Sequence, residues 1–450
     1  MFRNLKNICV FFVCIAFLMG AALYNGYPLV TSDTGTYINS AFTLEVARDR
    51  PFGYSLLIAL SSLSFSLWLT VICQSIILYF LMNRLSKLII GSKSNAVWSQ
   101  ILLFASCSAM TSVSWYAGMI MPDLFIAVGG LAFLLFILDE SQRMRVVYAI
   151  LLVFSISTHT SHLLIFSILS LVMLLSFYWL QKDKLKRGLM LAGICISCWL
   201  LVPLMHFSVD RNFQVNKSTH VFLTGRFLET GTLQRYLRKE CESNQIGLCN
   251  YKDNLPKNAI EFIWNDQSPL YKTSGWDDPE HEYRKMTRDI LTTPKYCFQF
   301  LYSSFFSSLS QLIQTDVGDG LTPHIAESNP YWKMVQYYKY ELPTYLNSLQ
   351  NTSRLKYSRS NNRYQWVVML SLLYLSWLYF GQKRIQLTSE EKLMLLIILS
   401  LVIANAFVTA TFGNVLARLQ SRVAWLIPFM GILFGLKYHI PIKWQSNLNH

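Results

Sequence analysis

Long apolar segments alternate with short polar ones along this chain, and that pattern predicts an all-α, polytopic membrane protein. A helix needs about 17–25 mostly apolar residues to cross the hydrocarbon core of a bilayer. The stretch 146–180 is too long for one such helix and is interrupted at Thr158–His162, so we expect a helical hairpin there. The whole pattern predicts about ten crossings, namely 8–24, 65–83, 96–117, 122–138, two helices within 146–180, 188–207, 365–380, 392–411 and 423–437.

The same pattern divides the chain into three predicted parts. Residues 1–207 form a seven-helix module, residues 208–364 form a large extracytoplasmic domain between the seventh and eighth helices, and residues 365–450 form a three-helix module. The middle part holds only short apolar patches, so we expect nothing in it to span a bilayer. We expect the first helix to be retained, because no small-x-small cleavage site follows it.

Basic residues predict the orientation of these helices in the membrane. Sixteen lie in the short loops of one side, namely Arg3, Lys6, Arg84, Lys87, Lys93, Arg143, Arg145, Lys182, Lys184, Lys186, Arg187, Lys383, Arg384, Lys392, Lys437 and Lys443. The short loops of the other side hold four, Arg48, Arg50, Arg418 and Arg422. Cytoplasmic loops are the ones enriched in Lys and Arg. We therefore expect a bacterial inner-membrane protein with both termini in the cytoplasm.

The formal net charge of +14 suggests a nucleic-acid partner only until its distribution is considered. The chain is 53% hydrophobic and 14% charged, which excludes an ordinary soluble globular protein. Since the basic residues are concentrated in short loops of one side, the charge records membrane orientation. We therefore expect contacts with membrane lipids and no nucleic-acid partner.

The first outer loop, 25–64, carries the most informative cluster of polar residues. Asp33 lies among hydroxyl side chains and is followed four residues later by Tyr37, and the loop then supplies Arg48 and Arg50. A carboxylate and arginines at a bilayer surface can act as a general base and as a clamp for an anion. The alternative is an ordinary polar connector in which Asp33 caps the N-terminus of a helix.

Two other outer segments add ionisable residues on the same side of the membrane. Asp123 follows Pro122 at the start of the fourth helix, and His159 and His162 interrupt the predicted hairpin. Polar groups at membrane depth tend to be paired, cavity-facing or functional. Asp123 is equally suited to capping its helix. The histidines could hold a metal or a phosphate, but no third ligand is evident, and polar packing is the alternative.

The last outer loop contributes two arginines at a spacing of four residues. On a helix Arg418 and Arg422 would lie on one face. Two guanidiniums on one face suit a phosphate or diphosphate, which they can bind in forked geometry. The alternative is a pair of arginines that extend to the lipid headgroups while their stems cover apolar surface.

The cysteines in the polar middle part suggest one disulfide. Cys241 and Cys249 could pair if this region lies in an oxidising compartment, which would leave Cys297 unpaired. The remaining cysteines lie in apolar segments, where buried packing is the usual role of the residue.

This arrangement resembles the GT-C class of membrane glycosyltransferases, which take a sugar from a polyprenyl-phosphate carrier. The resemblance rests on a seven-helix front module followed by a large outer domain, and on four short motifs. These motifs are Ser32-Asp33-Thr34-Gly35-Thr36-Tyr37, Arg50-Pro51-Phe52-Gly53-Tyr54, Pro122-Asp123 and the apolar run Trp425 to Pro428 after a basic loop. Many members have paired acids in the first loop, whereas Asp33 stands here beside Thr34.

The resemblance implies a mechanism and a set of site residues. Asp33 would be the catalytic base that deprotonates an acceptor hydroxyl during an inverting single displacement. Fixed cations would stabilise the departing lipid phosphate. The implied donor site comprises Arg50, Arg418, Arg422, Tyr37, His159 and His162, with Asp123 as a secondary acid. The acceptor would be a glycan, a lipid or a protein. No metal ligand is assigned. The missing paired acid argues against a metal-dependent reaction, while a divalent cation stays open as a cofactor.

Two other functional classes fit the same organisation. A lipid-linked polysaccharide polymerase or ligase also combines many helices with one large outer loop, but it would place its essential residues in that loop and would not require Asp33. A non-enzymatic transporter of lipid-linked glycans would carry charged residues near the middle of several helices, whereas this chain places its charges at helix ends.

Overall fold

The structure is a computed structural model whose secondary structure, in the part of the chain that it describes, is helical. It describes residues 2–91, 97–242, 246–279, 281–381 and 385–439. Within these ranges 74% of the residues are helical and no strand occurs. An isolated parallel bridge joins Leu29 to Met119. Four basic residues used to predict the orientation, Lys93, Lys383, Arg384 and Lys443, lie outside the described residues.

The chain forms two compact units, each with its own packing. Unit 1 comprises Met1–Val215, Gln314–Val402 and Ala417–His450, and unit 2 comprises Asn216–Ile313 and Ile403–Leu416. The predicted extracytoplasmic domain, 208–364, is therefore divided, since its last fifty or so residues belong to unit 1.

The first part of unit 1 is a succession of helices, with a 3-10 turn at Lys182–Lys184. The α-helices are α1 (Phe2–Leu18), α2 (Gly20–Asn25), α3 (Thr34–Thr43), α4 (Gly53–Ser62), α5 (Leu67–Ile90), α6 (Val97–Met110), α7 (Val113–Ala117), α8 (Leu124–Leu138), α9 (Gln142–Ser157), α10 (Thr160–Leu180) and α11 (Leu185–Asp210). The hairpin predicted within 146–180 is present as α9 and α10, and it breaks at Thr158 and His159, where the sequence is interrupted by polar residues.

The rest of the chain continues the helical pattern, with 3-10 turns at Gly247–Tyr251 and Lys339–Glu341. Unit 2 contains α12 (Thr219–Glu229), α13 (Thr232–Glu240), α14 (Ala259–Trp264), α15 (Pro269–Lys272), α16 (Glu282–Thr292) and α17 (Pro294–Leu312). The later helices are α18 (Asn329–Tyr337), α19 (Leu342–Leu346), α20 (Ser358–Phe380), α21 (Ser389–Phe412), α22 (Ala417–Ala424) and α23 (Leu426–His439).

Five helical segments in the described residues are long and apolar enough to cross a membrane. They are Leu67–Ile90, Thr160–Leu180, Lys182–Asp210, Ser389–Phe412 and Ala417–His439. This finding identifies a helical membrane protein, while the count of ten crossings stays a prediction. Other apolar helices are shorter than a bilayer requires. One of them, α8, is buried along its whole length, so its continuous apolar sequence contacts protein on every side.

Residues 314–364, which follow the first part of unit 2, belong to unit 1 and are hydrogen bonded to the first outer loop. The Gln350 side chain accepts from the backbone N–H of Val30 and donates to the Val30 carbonyl, at 3.2 and 2.7 Å. Tyr27 donates to the Glu341 carboxylate, and the Tyr338 hydroxyl donates to Ser62 at 2.9 Å. A polar segment that looks extramembrane in the sequence therefore covers the loop that carries Asp33.

Unit 2 has a core of its own and contains a disulfide. Buried aromatic side chains on α12, α14, α16 and α17 supply much of this core, and the rings of Phe227 and Phe300 meet edge to face at 4.9 Å. A disulfide joins Cys241 to Cys249, the pair that the sequence suggested. Cys297 is a free, half-buried thiol.

Candidate functional site

The first outer loop fixes the position of Asp33 at the start of α3. The backbone N–H of Thr31 donates to the Thr34 hydroxyl at 2.9 Å, and that hydroxyl donates to the carbonyl of Ile120 at 3.0 Å. Asp33 occupies the N-cap position, but its side chain makes no capping hydrogen bond. Its carboxylate is therefore engaged elsewhere, and the interpretation of Asp33 as a helix cap does not describe this structure.

Two arginines from distant parts of the sequence hold the Asp33 carboxylate. Arg50 donates from Nη2 to Oδ1 at 2.9 Å, and Arg418 donates from Nη2 to Oδ2 at 3.4 Å. Arg50 also forms an ion pair with Asp49 at 3.0 Å, and its guanidinium lies 5.4 Å from the centre of the Tyr37 ring. Arg50 is thus fixed by three neighbours, of which Asp33 is one.

The ion pairs continue from Arg418 into the protein interior. Arg418 Nε lies 3.7 Å from Oδ2 of Asp123, and Arg422 Nη1 donates to Oδ1 of the same carboxylate at 2.9 Å. Acids and arginines therefore alternate in the order Asp49, Arg50, Asp33, Arg418, Asp123 and Arg422, which we call the charge chain. Its three carboxylates and three guanidiniums balance in formal charge.

Exposure along the charge chain is highest at Asp33 and falls from there towards Arg422. The side chain of Asp33 is 22% exposed and those of Arg418 and Arg50 are 16% and 13% exposed, whereas Asp123 is 2% exposed and Arg422 is fully buried. Arg422 thus does not extend to lipid headgroups. We call the partly exposed part of the chain around Asp33 the accessible end, and the Asp123–Arg422 pair the buried end.

Helix α22 explains why its two arginines have different environments. It packs against α8, and the Ser421 carbonyl accepts from the Ser112 hydroxyl at 2.7 Å. Tyr116 donates to the Arg418 carbonyl at 3.0 Å, and its hydroxyl lies 2.6 Å from the Ser421 hydroxyl, so it holds the same helix. The expected spacing places Arg418 and Arg422 on adjacent turns, but only Arg418 reaches the accessible end. Asp123 makes no capping bond to α8 and instead accepts from Arg422.

The two histidines lie beside the buried end of the charge chain. His159 Nδ1 accepts from the backbone N–H of Ser161 and thereby caps α10, at 3.2 Å. His162 is buried and its Nδ1 donates to the Ser155 carbonyl at 2.7 Å. Arg422 donates to the Ser161 hydroxyl at 3.4 Å. The histidines are therefore neighbours of the site that hold α9 and α10 in place.

The charges around His159 and Asp33 affect their protonation in opposite ways. Burial, followed by the charge of Arg422, lowers the pKa of His159 well below its usual range, so its imidazole is neutral. Burial opposes ionisation of Asp33, but the adjacent Arg50 and Arg418 guanidiniums outweigh it and hold the pKa of that carboxyl well below its usual range. Among the described residues, no group of three or more His, Cys, Asp and Glu side chains is arranged to hold a metal ion.

One further acid at the site was not predicted from the sequence. Asp319 accepts from the backbone N–H of Arg418 at 3.3 Å and therefore orients the start of α22. It lies between Gly318 and Gly320, whose backbones have φ of 105° and 80°. The sequence Gly-Asp-Gly indicates a tight turn that carries an acid. Asp319 was not predicted as a site residue because it lies within 208–364, the predicted extracytoplasmic domain.

A comparison with known protein families, with curated proteins and with solved structures found no match to this chain. The function of the site therefore has to follow from its own chemistry. A carboxylate at an accessible end can accept a proton, and two fixed guanidiniums beside it can bind an oxyanion.

We predict that Asp123→Ala lowers the free energy of unfolding by about 3–5 kcal/mol, because it leaves Arg422 buried without its carboxylate partner. Replacing both members, as Asp123→Leu with Arg422→Met, should restore most of that loss, since the buried charge is removed as well. Denaturant unfolding of the full chain in mixed micelles measures all three free energies.

Asp33→Ala is the matched control for this prediction. Asp33 is partly exposed, and both of its arginines keep a second carboxylate, Asp49 for Arg50 and Asp123 for Arg418. Its loss should therefore cost clearly less than the loss of Asp123. Equal destabilisation by Asp33→Ala and Asp123→Ala would contradict the assignment of an accessible end and a buried end.

Proposed function

We propose that this chain is a GT-C-like membrane glycosyltransferase that moves a sugar from a polyprenyl-phosphate carrier to an acceptor hydroxyl on the outer face of the membrane. The observation that carries the proposal is the accessible Asp33 carboxylate held between Arg50 and Arg418. A base and a pair of cations are the two devices that such a transfer needs. They lie at the same end of the charge chain, within reach of one bound molecule.

In the proposed reaction Asp33 takes the proton of the acceptor hydroxyl while the acceptor oxygen attacks the anomeric carbon. The bond between that carbon and the carrier's phosphate oxygen breaks in the same step, and its electron pair leaves with the phosphate. Attack from the face opposite the leaving group inverts the anomeric centre. The negative charge that grows on the departing phosphate is stabilised by Arg418 and Arg50, whose guanidiniums present paired donors.

The arginines also set the strength of the base. In the free protein they keep Asp33 ionised and weakly basic. A phosphate that binds Arg50 and Arg418 draws part of their charge away from Asp33, and burial then acts to raise the basicity of the carboxylate. Donor binding therefore prepares the base at the moment when an acceptor proton has to be removed.

The runner-up function is a lipid-linked polysaccharide polymerase or ligase. One observation favours it: Asp319, which belongs to the predicted large outer loop, accepts a hydrogen bond from Arg418 of the site. That function predicts that Asp319 is essential and that Asp33 is dispensable. A transporter predicts no chemical change of the carrier at all, so the same assay separates the three classes.

The test is incubation of the purified full chain with radiolabelled polyprenyl-phosphate sugars, followed by analysis of transfer and hydrolysis. We expect Asp33→Asn to lose about 10²–10⁴-fold in turnover while binding of the carrier lipid is retained, since the amide is nearly isosteric but cannot take the proton. The matched control is Asp316→Asn, an acid of the nearby segment that accepts from Gln365 and is absent from the charge chain. Near-normal turnover in Asp33→Asn would refute the role of the base.

A second prediction concerns the phosphate clamp. A charge-assisted contact is worth about 1.5–3 kcal/mol, so Arg418→Ala should weaken carrier binding roughly 10–100-fold. Arg418→Lys should recover only part of this affinity, because an ammonium keeps the charge but loses the forked geometry. The control is Arg48→Lys, an exposed arginine of the first loop that we expect to be silent. Unchanged carrier affinity in Arg418→Ala would place the clamp elsewhere.

A third prediction follows from the depressed pKa of Asp33. The ratio kcat/KM reports ionisation of the free enzyme, in which Asp33 stays ionised between about pH 5 and 8, so this residue should give the wild type no acid limb. In Arg50→Gln one cation is removed, burial acts to raise the pKa of Asp33, and kcat/KM should fall as the pH drops through the raised value. Rate–pH profiles of both proteins and of Arg48→Gln measure this. Profiles of identical shape would contradict it.

A further inference from the structure

Helix α17 of unit 2 exposes an unusually apolar side. Its exposed large side chains recur at intervals of three, one, three, one and three residues, which places them on one side of the helix. They are Phe298, Leu301, Tyr302, Phe305, Phe306 and Leu309, and we call them the apolar face of α17. A contiguous surface of this size on a protein marks an interaction site.

The other side of α17 is packed, so the helix is a fixed part of unit 2. Tyr296 and Phe300 are buried in the core, and Gln311 is buried as well. The Gln311 side chain exchanges two hydrogen bonds with the backbone of Leu416, at 2.8 and 3.0 Å. Leu416 follows the membrane-crossing candidate Ser389–Phe412 by four residues, so the end of α17 is tied to a segment that leaves a membrane helix.

Charge is absent along the apolar face and concentrated at one end of it. The stretch 296–315 contains no Asp, Glu, Lys or Arg. Just before it, Lys295 joins Arg235, Arg238 and Lys239 around a cavity of about 600 Å³ that holds a single acid, Glu242. Arg235 donates to Gln299 on α17 at 2.8 Å, which fixes the cationic group against the beginning of the helix.

Cations and apolar side chains lie on the same side of α17. Lys295, Tyr302 and Phe306 are spaced by seven and four residues and so follow one another along the helix. A lipid bilayer presents the matching sequence of layers, because anionic headgroups lie beside hydrocarbon. Lys295 of α17 and the cations of the neighbouring helix α13 would lie at the level of the headgroups, and the aromatic and aliphatic residues of α17 at the level of the hydrocarbon.

We propose that α17 contacts the bilayer directly, with its apolar face in the hydrocarbon and with Lys295, Arg238 and Lys239 on the phosphates of anionic lipids. The apolar face has no charged residue along its length, and cations lie only at one end of it. That arrangement matches hydrocarbon beside a layer of anionic headgroups, whereas a protein interface is surrounded by a polar rim. The inference is independent of the proposed transfer reaction. It makes unit 2 a membrane-attached unit instead of a freely extracytoplasmic one.

The test uses the full chain in lipid nanodiscs that contain no polyprenyl phosphate. The photoreactive residue p-benzoylphenylalanine is placed at Phe305, or at Lys285 as a matched control, since Lys285 is exposed on the neighbouring helix α16. We expect lipid adducts, identified by mass spectrometry, at Phe305 and few at Lys285. Adducts of Phe305 with a second copy of the chain, or equal lipid labelling at both positions, would overturn the proposal.

A second arm tests the cations while the apolar face is unchanged. The wild type and the triple variant Arg238→Ala, Lys239→Ala, Lys295→Ala are placed in nanodiscs with equal amounts of anionic and zwitterionic lipid. The lipids that crosslink at Phe305 are then compared between the two proteins. Near an anionic surface each cation contributes roughly fivefold in affinity, so the preference of Phe305 for anionic lipid should fall by at least about fivefold in the triple variant. An unchanged preference would refute headgroup binding, and retained melting temperature confirms that the variant is folded.

Discussion

Charge neutralisation at the edge of a membrane is the constraint on which unit 1 depends. An ionised side chain that leaves water needs an opposite charge and hydrogen bonds around it, and removing one member of such a pair is far more costly than removing both. Asp123 and Arg422 form an ion pair in the interior, and Arg418 links this pair to Asp33. The first loop, α8 and α22 therefore have to meet at one place, whatever sequence lies between them.

The gradient of exposure along the charge chain separates two roles that residue type alone does not distinguish. Arg422 and Asp123 are enclosed, so their pairing holds helices together and leaves little freedom to bind a ligand. Asp33 and Arg418 are partly exposed and can exchange partners with a molecule from outside. The same chemistry, a carboxylate beside a guanidinium, is thus structural at one end and available for reaction at the other.

Much of this could be predicted from the sequence, because helix periodicity and the cost of polar groups at membrane depth are local signals. They located the long apolar helices, the break at His159 and nearly every charged residue of the site. What packs on a helix face is not local, so Arg418 and Arg422 looked equivalent. The contact of Gln350 with Val30 joins residues 320 apart and has no local signature. Helix α17 was missed because Ser and Gln lower its mean hydropathy although one side is apolar.

The formal neutrality of the charge chain has a consequence for the proposed reaction. Each arginine has a second carboxylate, Asp49 for Arg50 and Asp123 for Arg418, so both guanidiniums keep their positions if Asp33 becomes neutral. A bound phosphate adds negative charge to a set of three acids and three arginines that is already balanced. Asp33 is the most exposed member of the charge chain. The excess negative charge is therefore relieved most readily when Asp33 takes up a proton. In the proposed transfer reaction, binding of an anionic donor and acceptance of an acceptor's proton would therefore be coupled by electrostatics alone, with the cations preorganised for both.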